Sequence, residues 1–433
     1  MKQKIINYLK NNYCLLIVLF IYLLLSLLTI KQLGINYSIN SDDMSYIKSG
    51  IRFFEEGKIT MHGAVSAQIM PGMTFLISGL CVIFGTGSTL MIALKILFFI
   101  FGGISIIFLY KSVKMFTNQF VAGMASMFML TPDYLWTNNV ILTETPYIML
   151  QMILIYYSFK LAKNRKNSSY IMIIISYILC LFIRPTIGLF PLFLFIYLLL
   201  NKYDFKKLIK QGFIAAGVLI CVLTPWIIRN YNIFDKFIPL TYGMGNPLLL
   251  GTYQGIGYPL DEELDYNTKV YNKIDEKMKF HLENPEENKA LHKYYLLEYD
   301  GLVAKYRMQE WWNKDKISML KSYLIYKPYY MLYTTFYWQP IFGIGDSWLL
   351  LFHKLELVLF LLAIGSIVFT KKYGSELILL IGFYLYNIAL YSYSFAYGRY
   401  ALALYPIRFI IIGMGIGTII KYIKDRRSKN EKN

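Results

Sequence analysis

At 433 residues, 56% of them hydrophobic and only 16% charged, the chain is too apolar for a soluble protein of its size. Its net charge of +18 would suit a nucleic-acid binder, but the distribution excludes that reading. Residues 229–346 hold 14 Lys and Arg against 15 Asp and Glu, so the positive surplus lies in short loops between apolar stretches. That is where the positive-inside bias of membrane proteins puts it.

The apolar stretches 15–30, 349–369 and 377–390 approach the ~20 residues that cross a hydrocarbon core about 30 Å thick. The first follows the basic head Lys2, Lys4 and Lys10 and lacks a small-x-small cleavage site, so it reads as a retained helix. Cys14, Cys81, Cys180 and Cys221 lie in apolar segments without metal-type spacing and read as packing residues. Basic loops occur at Lys111/Lys114, Lys163/Arg165/Lys166, Lys202/Lys206/Lys207/Lys210, Lys371/Lys372 and in the tail from Lys421 to Lys432. If all are cytoplasmic, an even number of crossings separates each successive pair. Spans at 13–30, 90–109, 118–134, 145–161, 168–183, 185–200, 211–228, 349–369, 375–394 and 401–420 meet that rule, with both termini inside. The stretch 71–84 would break it, and with about 14 apolar residues it reads as a juxtamembrane or re-entrant helix.

The expected organisation is an all-α integral membrane bundle of about ten transmembrane helices. A membrane module over 1–228 contains a first exterior loop, 31–88; an exterior region covers 229–346; and 347–433 holds the last helices and a basic tail. A short exterior turn is expected at 131–144. Within the large region, 261–316 mixes Lys and Glu with spaced apolar residues as surface helices do, and 317–338 is rich in Tyr and Trp, which suits a membrane interface.

Charged residues at the expected outer ends of spans are the candidates for chemistry. Ser41-Asp42-Asp43 opens a helical pattern running to Gly57, with Ser41 as N-cap and the acids in the first turn, an arrangement that capping alone would explain. Glu144 stands at another span mouth, where a helix-start carboxylate is equally ordinary. Arg184, Arg229 and Arg399 sit where arginine is scarce, either as three separate snorkelling residues or as one anion site. Arg408, deeper in the last span, is expected to face the interior. Such a set would suit group transfer from a phosphate, a carboxylate taking the acceptor proton and cations holding the leaving group. No Walker, G-x-S-x-G or H-E-x-x-H motif is present, and His62, His281, His292 and His353 do not cluster in sequence. Gly413-x-Gly415-x-Gly417 reads as close helix packing.

The ordered landmarks Asp42-Asp43-Met44-Ser45-Tyr46, Pro71-Gly72 with Phe84-Gly85, Leu142-Thr143-Glu144, Arg184-Pro185, Pro225-Trp226-x-x-Arg229-Asn230 and Arg399-Tyr400 are similar to those of the GT-C superfamily. The branch in question holds protein O-mannosyltransferases and lipid A aminoarabinose transferases. The resemblance implies inverting transfer of a sugar from a polyprenyl-phosphate donor to a lipid, glycan or protein acceptor at the exterior face. It makes Asp42 the base, with Asp43 and Glu144 shaping the site and Arg184, Arg229 and Arg399 holding the phosphate. Asp43 stands where relatives commonly have Glu. Ala67-Gln68-Ile69-Met70 replaces the charged group some relatives carry before Pro71, so no metal ligand is assigned and a divalent ion stays open. A transporter or flippase for an anionic lipid-linked saccharide is the competing reading.

Overall fold

The computed structural model describes residues 2–430, with side chains over 9–425; Met1 and 431–433, which include the Lys432 end of the basic tail, lie outside the described residues. Among the described residues twenty α-helices follow one another. The first half runs α1 (Lys2–Leu33), α2 (Asp42–Glu56), a hairpin of β1 (Thr60–Met61) and β2 (Ala64–Val65), α3 (Gly72–Phe84), α4 (Ser88–Lys114), α5 (Gln119–Met127), α6 (Pro132–Thr137), α7 (Glu144–Asn164), α8 (Asn167–Ile183), α9 (Phe190–Leu200) and α10 (Phe205–Phe234). The hydrophilic region holds α11 (Gly245–Gly251), α12 (Tyr266–Lys269), α13 (Glu276–Glu283), α14 (Lys289–Lys314), α15 (Lys316–Lys321) and α16 (Lys327–Tyr333). The chain ends with α17 (Asp346–Thr370), α18 (Gly374–Tyr393), α19 (Gly398–Leu402) and α20 (Tyr405–Asn430).

Among the described residues, six helical segments are long and apolar enough to cross a bilayer: α1, α4, α10, α17, α18, and α19 with α20. The other four of the ten expected spans are also helical but differ in kind. The 118–134 stretch breaks into α5, a 3₁₀ turn at Phe128–Leu130 and α6. α7 is 21 residues long, with Glu144, Gln151 and Ser158 buried along it, so it is a core helix shielded by its neighbours. α8 has 17 residues and α9 has 11, about 26 and 17 Å of helix respectively, short of a full hydrocarbon core. The chain is thus a multi-pass membrane protein with six long apolar helices and a set of shorter ones.

The expected short helix is present as α3. It lies against α2, where Gly50 lets the two backbones approach so closely that an added Cβ would strike Ile77. Ser49 and Thr74 hydroxyls bond across this contact at 2.8 Å. The far end of α3 leaves Val82 and Ile83 exposed.

The 131–144 turn differs from expectation: its middle is buried, with Trp136 and Leu142 fully enclosed. Its polar groups find partners inside. The Lys95 ammonium of α4 donates to the carbonyls of Asn139 and of Tyr37, the latter at 2.7 Å, and Thr145 Oγ1 donates to Asn138 Oδ1 at 3.0 Å. Pairing of this kind offsets the cost of burying polar groups.

α20 is the bundle's central helix, buried continuously from Tyr405 to Met414. Arg408 is buried, donating to Glu356 of α17 and to the Leu332 carbonyl at 2.5 Å. Nearby, His353 and Asp133 pair at 2.8 Å. Gly413, Gly415 and Gly417 bring α20 against its neighbours: added methyls would meet Val113, Ala363 and Thr117. Outside the bundle, Arg307 pins the hydrophilic region by donating to Thr252 Oγ1 (2.7 Å), the Pro259 carbonyl (2.8 Å) and Asp261 (2.5 Å), with the Tyr253 ring 3.8 Å from its guanidinium.

In Gly415→Val the new Cβ would lie 2.5 Å from the Ala363 Cβ and 2.6 Å from its Cα, and backbone atoms cannot swing away. Overpacking of this kind costs about 1–3 kcal/mol. A clear drop in the thermal unfolding midpoint in detergent is expected, whereas Gly365→Ala, whose methyl meets open space, should shift it little.

Candidate functional site

Four charged side chains from four distant parts of the chain meet at one end of the bundle. Each is delivered by a local feature of the sequence. Asp42 is the first residue of α2, which starts eight residues after α1 ends and closes at Gly57 in the left-handed conformation, φ 69°. Glu144 opens α7, with Pro146 in the same first turn, where proline's missing N–H is harmless. Arg184 precedes Pro185, which disfavours helix at the residue before it, so α8 ends and Arg184 is extended at φ −145°, ψ 122°. Arg399 follows Gly398, where any Cβ would collide with the Thr335 carbonyl, so only glycine lets this segment approach.

Glu144 is completely buried, and its Oε1 accepts from both Arg184 Nη2 and Arg399 Nε. Arg399 Nη1 also donates to Asp42 Oδ2 at 2.6 Å, and Arg184 Nε donates to Thr143 Oγ1 at 2.8 Å. The charges alternate Asp42, Arg399, Glu144, Arg184 and sum to zero. Aromatic rings wall this row: the Arg184 guanidinium lies 5.7 Å from the Tyr147 ring and 5.6 Å from that of Tyr400, which stacks on Tyr391. Two buried polar atoms, Glu144 Oε2 and Arg184 Nη1, have no hydrogen-bond partner. Asp42 alone of the four is substantially open, with 31% of its side chain exposed.

The remaining candidates lie elsewhere. Asp43 is 1% exposed and turns back on the preceding loop, accepting from Ser38 Oγ (2.6 Å), Ile39 N (2.9 Å) and Ser41 N (3.0 Å). The Ser41 hydroxyl makes no cap bond, so the carboxylate two residues on organises the helix start in its place. Arg229 does not join the row. Its guanidinium donates to the carbonyls of Ser66 (2.9 Å) and Ile59 (3.2 Å) and to Asn230 Oδ1 (2.8 Å), bracing the hairpin loop against α10.

Two residues beside the site were not legible as candidates. His62 sits at the tip of the β1–β2 hairpin, where it and Gly63 both have positive φ, 49° and 83°, as a two-residue primed turn requires. The turn brings His62 Nε2 to 3.5 Å from Asp42 Oδ1 and Nδ1 to 3.1 Å from Ser45 Oγ. Burial holds the imidazole below its usual pKa of 6.5; Asp42 opposes that shift and Lys293 reinforces it. Next to it a cleft of about 450 Å³ is lined by Ser45, Lys48, Arg52, Thr60 and His62. The second residue is Lys95, whose strut beneath the 131–144 turn was signalled only by a lone lysine in an apolar stretch. Among the described residues no group of three or more His, Cys, Asp or Glu could hold a metal ion.

Residues 68–228 match the dolichyl-phosphate-mannose-protein mannosyltransferase family, a segment that includes Glu144 and Arg184 but neither Asp42 nor Arg399. No curated protein matches the chain. Among solved structures it is similar to the archaeal oligosaccharyltransferase AglB from Archaeoglobus fulgidus, in complex with an inhibitory peptide and a dolichol-phosphate, at 12% identity and a TM-score of 0.51. That superposition covers 96% of this chain and 52% of the archaeal one, so the chain spans about half of that protein's length. ArnT from Cupriavidus metallidurans bound to undecaprenyl phosphate aligns over 93% of this chain and 77% of its own, at 12% identity and a TM-score of 0.42. The all-helical membrane fold is therefore similar to that of the archaeal oligosaccharyltransferase, and residues 68–228 of the chain match the dolichyl-phosphate-mannose-protein mannosyltransferase family.

Proposed function

We propose that the chain is a membrane glycosyltransferase that moves a sugar from a polyprenyl-phosphate donor to an acceptor hydroxyl on a lipid, glycan or protein, at the exterior face and with inversion at the anomeric carbon. In this reading both termini are cytoplasmic, and the region 229–346 covers the site and selects the acceptor. The observation that carries it is the alternating row in which a single accessible carboxylate, Asp42, is fixed by a buried Arg–Glu–Arg frame.

Asp42 takes the proton of the acceptor hydroxyl on Oδ1, the oxygen that Arg399 leaves free. The acceptor oxygen attacks the anomeric carbon as its bond to the phosphate oxygen breaks, and the electron pair leaves with the phosphate. Before the proton moves the row is neutral; with Asp42 protonated it carries one net positive charge. That charge develops as the phosphate departs, inside a low-dielectric site where it counts for more than in water. Arg184 Nη1, buried and unpartnered, is the donor available to a phosphate oxygen. Glu144 keeps both guanidiniums in place, while Asp43 and Arg229 hold the loops around them.

Asp42→Asn removes the base and keeps the shape. Transfer in membranes should fall by at least about 10²-fold, the usual worth of a positioned general base, with the unfolding midpoint preserved; near-normal turnover would take Asp42 out of the mechanism. Glu144→Gln leaves two buried guanidiniums short of a counter-charge, a loss worth about 3–5 kcal/mol, and should unfold at markedly lower temperature. His62 takes up a proton only below its ordinary 6.5, and the imidazolium then competes for Asp42. The wild-type rate should therefore decline as pH falls through that range, and His62→Gln should flatten this acid limb.

A further inference from the structure

Six cationic side chains are buried in the described structure: Lys95, Arg184, Arg307, Lys327, Arg399 and Arg408. Five meet carboxylates or carbonyls, as described above. Lys327 is the exception. It is 2% exposed, its Nζ has no hydrogen-bond partner, and the Tyr323 ring centroid lies 3.6 Å from the ammonium. Burial pulls it down to about 7 from the usual lysine value. An ammonium stripped of water and left without an anion is an expensive arrangement, and proteins retain one where a ligand completes it.

The space beside Lys327 is a cleft of about 450 Å³ whose other walls include Gln254, Gly255, Tyr326, Tyr330 and Tyr333. One wall is fixed: the Gln254 side chain exchanges two hydrogen bonds with the Ala396 backbone, at 2.8 and 3.0 Å. Room for the ammonium comes from Gly251, where an added Cβ would sit 3.2 Å from Lys327 Nζ. Lys327 follows directly on a π-helical stretch, Ser322–Tyr326, an irregularity that recurs at functional sites. In the same stretch Leu324 (68%) and Ile325 (59%) are exposed, as is Tyr329 (54%) of α16 on the cleft wall, the mixture of aliphatic and tyrosine side chains that settles at a membrane interface. The cleft shares no residue with the Asp42 row.

We propose that this cleft is a second, separate lipid site that binds the phosphate of a membrane lipid, with Lys327 Nζ and tyrosine hydroxyls on the phosphate and the chains lying along Leu324 and Ile325. A buried, unpartnered cation within an aromatic rim has the chemistry for an anionic headgroup on an apolar tail. The two available sources are a polyprenyl phosphate and an anionic phospholipid. The proposal does not depend on Asp42 acting as a base.

Native mass spectrometry of the purified full chain in detergent tests it, with undecaprenyl phosphate, phosphatidylglycerol or inorganic phosphate added separately. The wild type and Lys327→Arg should each retain one more lipid than Lys327→Met, with about tenfold weaker binding in the latter, as loss of a charge-assisted hydrogen bond implies. Whichever lipid is retained identifies the source. Lys327→Gln serves as a second neutral variant, and because both neutral variants remove a buried charge they should unfold no earlier than the wild type without lipid. Equal lipid retention by the wild type and either neutral variant would overturn the proposal, as would retention of inorganic phosphate with neither lipid bound.

Discussion

Everything at the candidate site depends on one buried carboxylate, Glu144. Two guanidiniums could not sit side by side in a closed, aromatic pocket unless a negative charge lay between them, and Glu144 Oε1 accepts from both. Because Arg184 ends α8 and Arg399 begins α19, the same carboxylate ties the middle of the chain to its C-terminal part. Arg399 then reaches the start of α2 through Asp42, so one ionic row sets the relative position of four helix ends. A buried row of this kind gives little net stability compared with an apolar core of the same shape. Its value lies in geometry, since the shared carboxylate holds both guanidiniums at fixed positions beside Asp42.

The frame also divides labour between residues that look alike in the sequence. Asp42 and Asp43 are adjacent acids in one helical turn, yet one faces the open end of the row and the other is spent on three donors of the preceding loop. Arg184 caps the end of α8 and Arg229 lies in the last third of α10, yet only the first meets Glu144, while the second is saturated by loop carbonyls and a neighbouring amide. The distinction is tertiary. It rests on which helix end lies beside which, and hydropathy or spacing carries no record of that.

Much of the local structure was legible. The helix from Asp42 to Glu56, its glycine stop, the short helix after Pro71 and the packing role of Gly413, Gly415 and Gly417 follow from residue pattern, length and size, although Ser41 does not supply the expected cap bond. The interior placement of Arg408 followed from the cost of a charge in lipid. What escaped were features made by convergence. The 131–144 turn is polar enough to read as exposed, but its groups are satisfied by Lys95 and by one another deep in the bundle. His62 reaches Asp42 only because a two-residue turn folds the hairpin over the start of α2. Loop charge counts crossings but does not measure helices, and several of the expected spans are shorter or more polar than a crossing requires because neighbouring helices shield them.

The most direct measurement of the central claim is the fate of the donor's phosphate when purified protein is given a polyprenyl-phosphate sugar and a hydroxyl-bearing acceptor. Polyprenyl phosphate is expected to be released in step with glycosylated acceptor, with neither product from Asp42→Asn. Movement of the intact sugar-lipid across a vesicle membrane with no polyprenyl phosphate released would contradict it and identify a transporter.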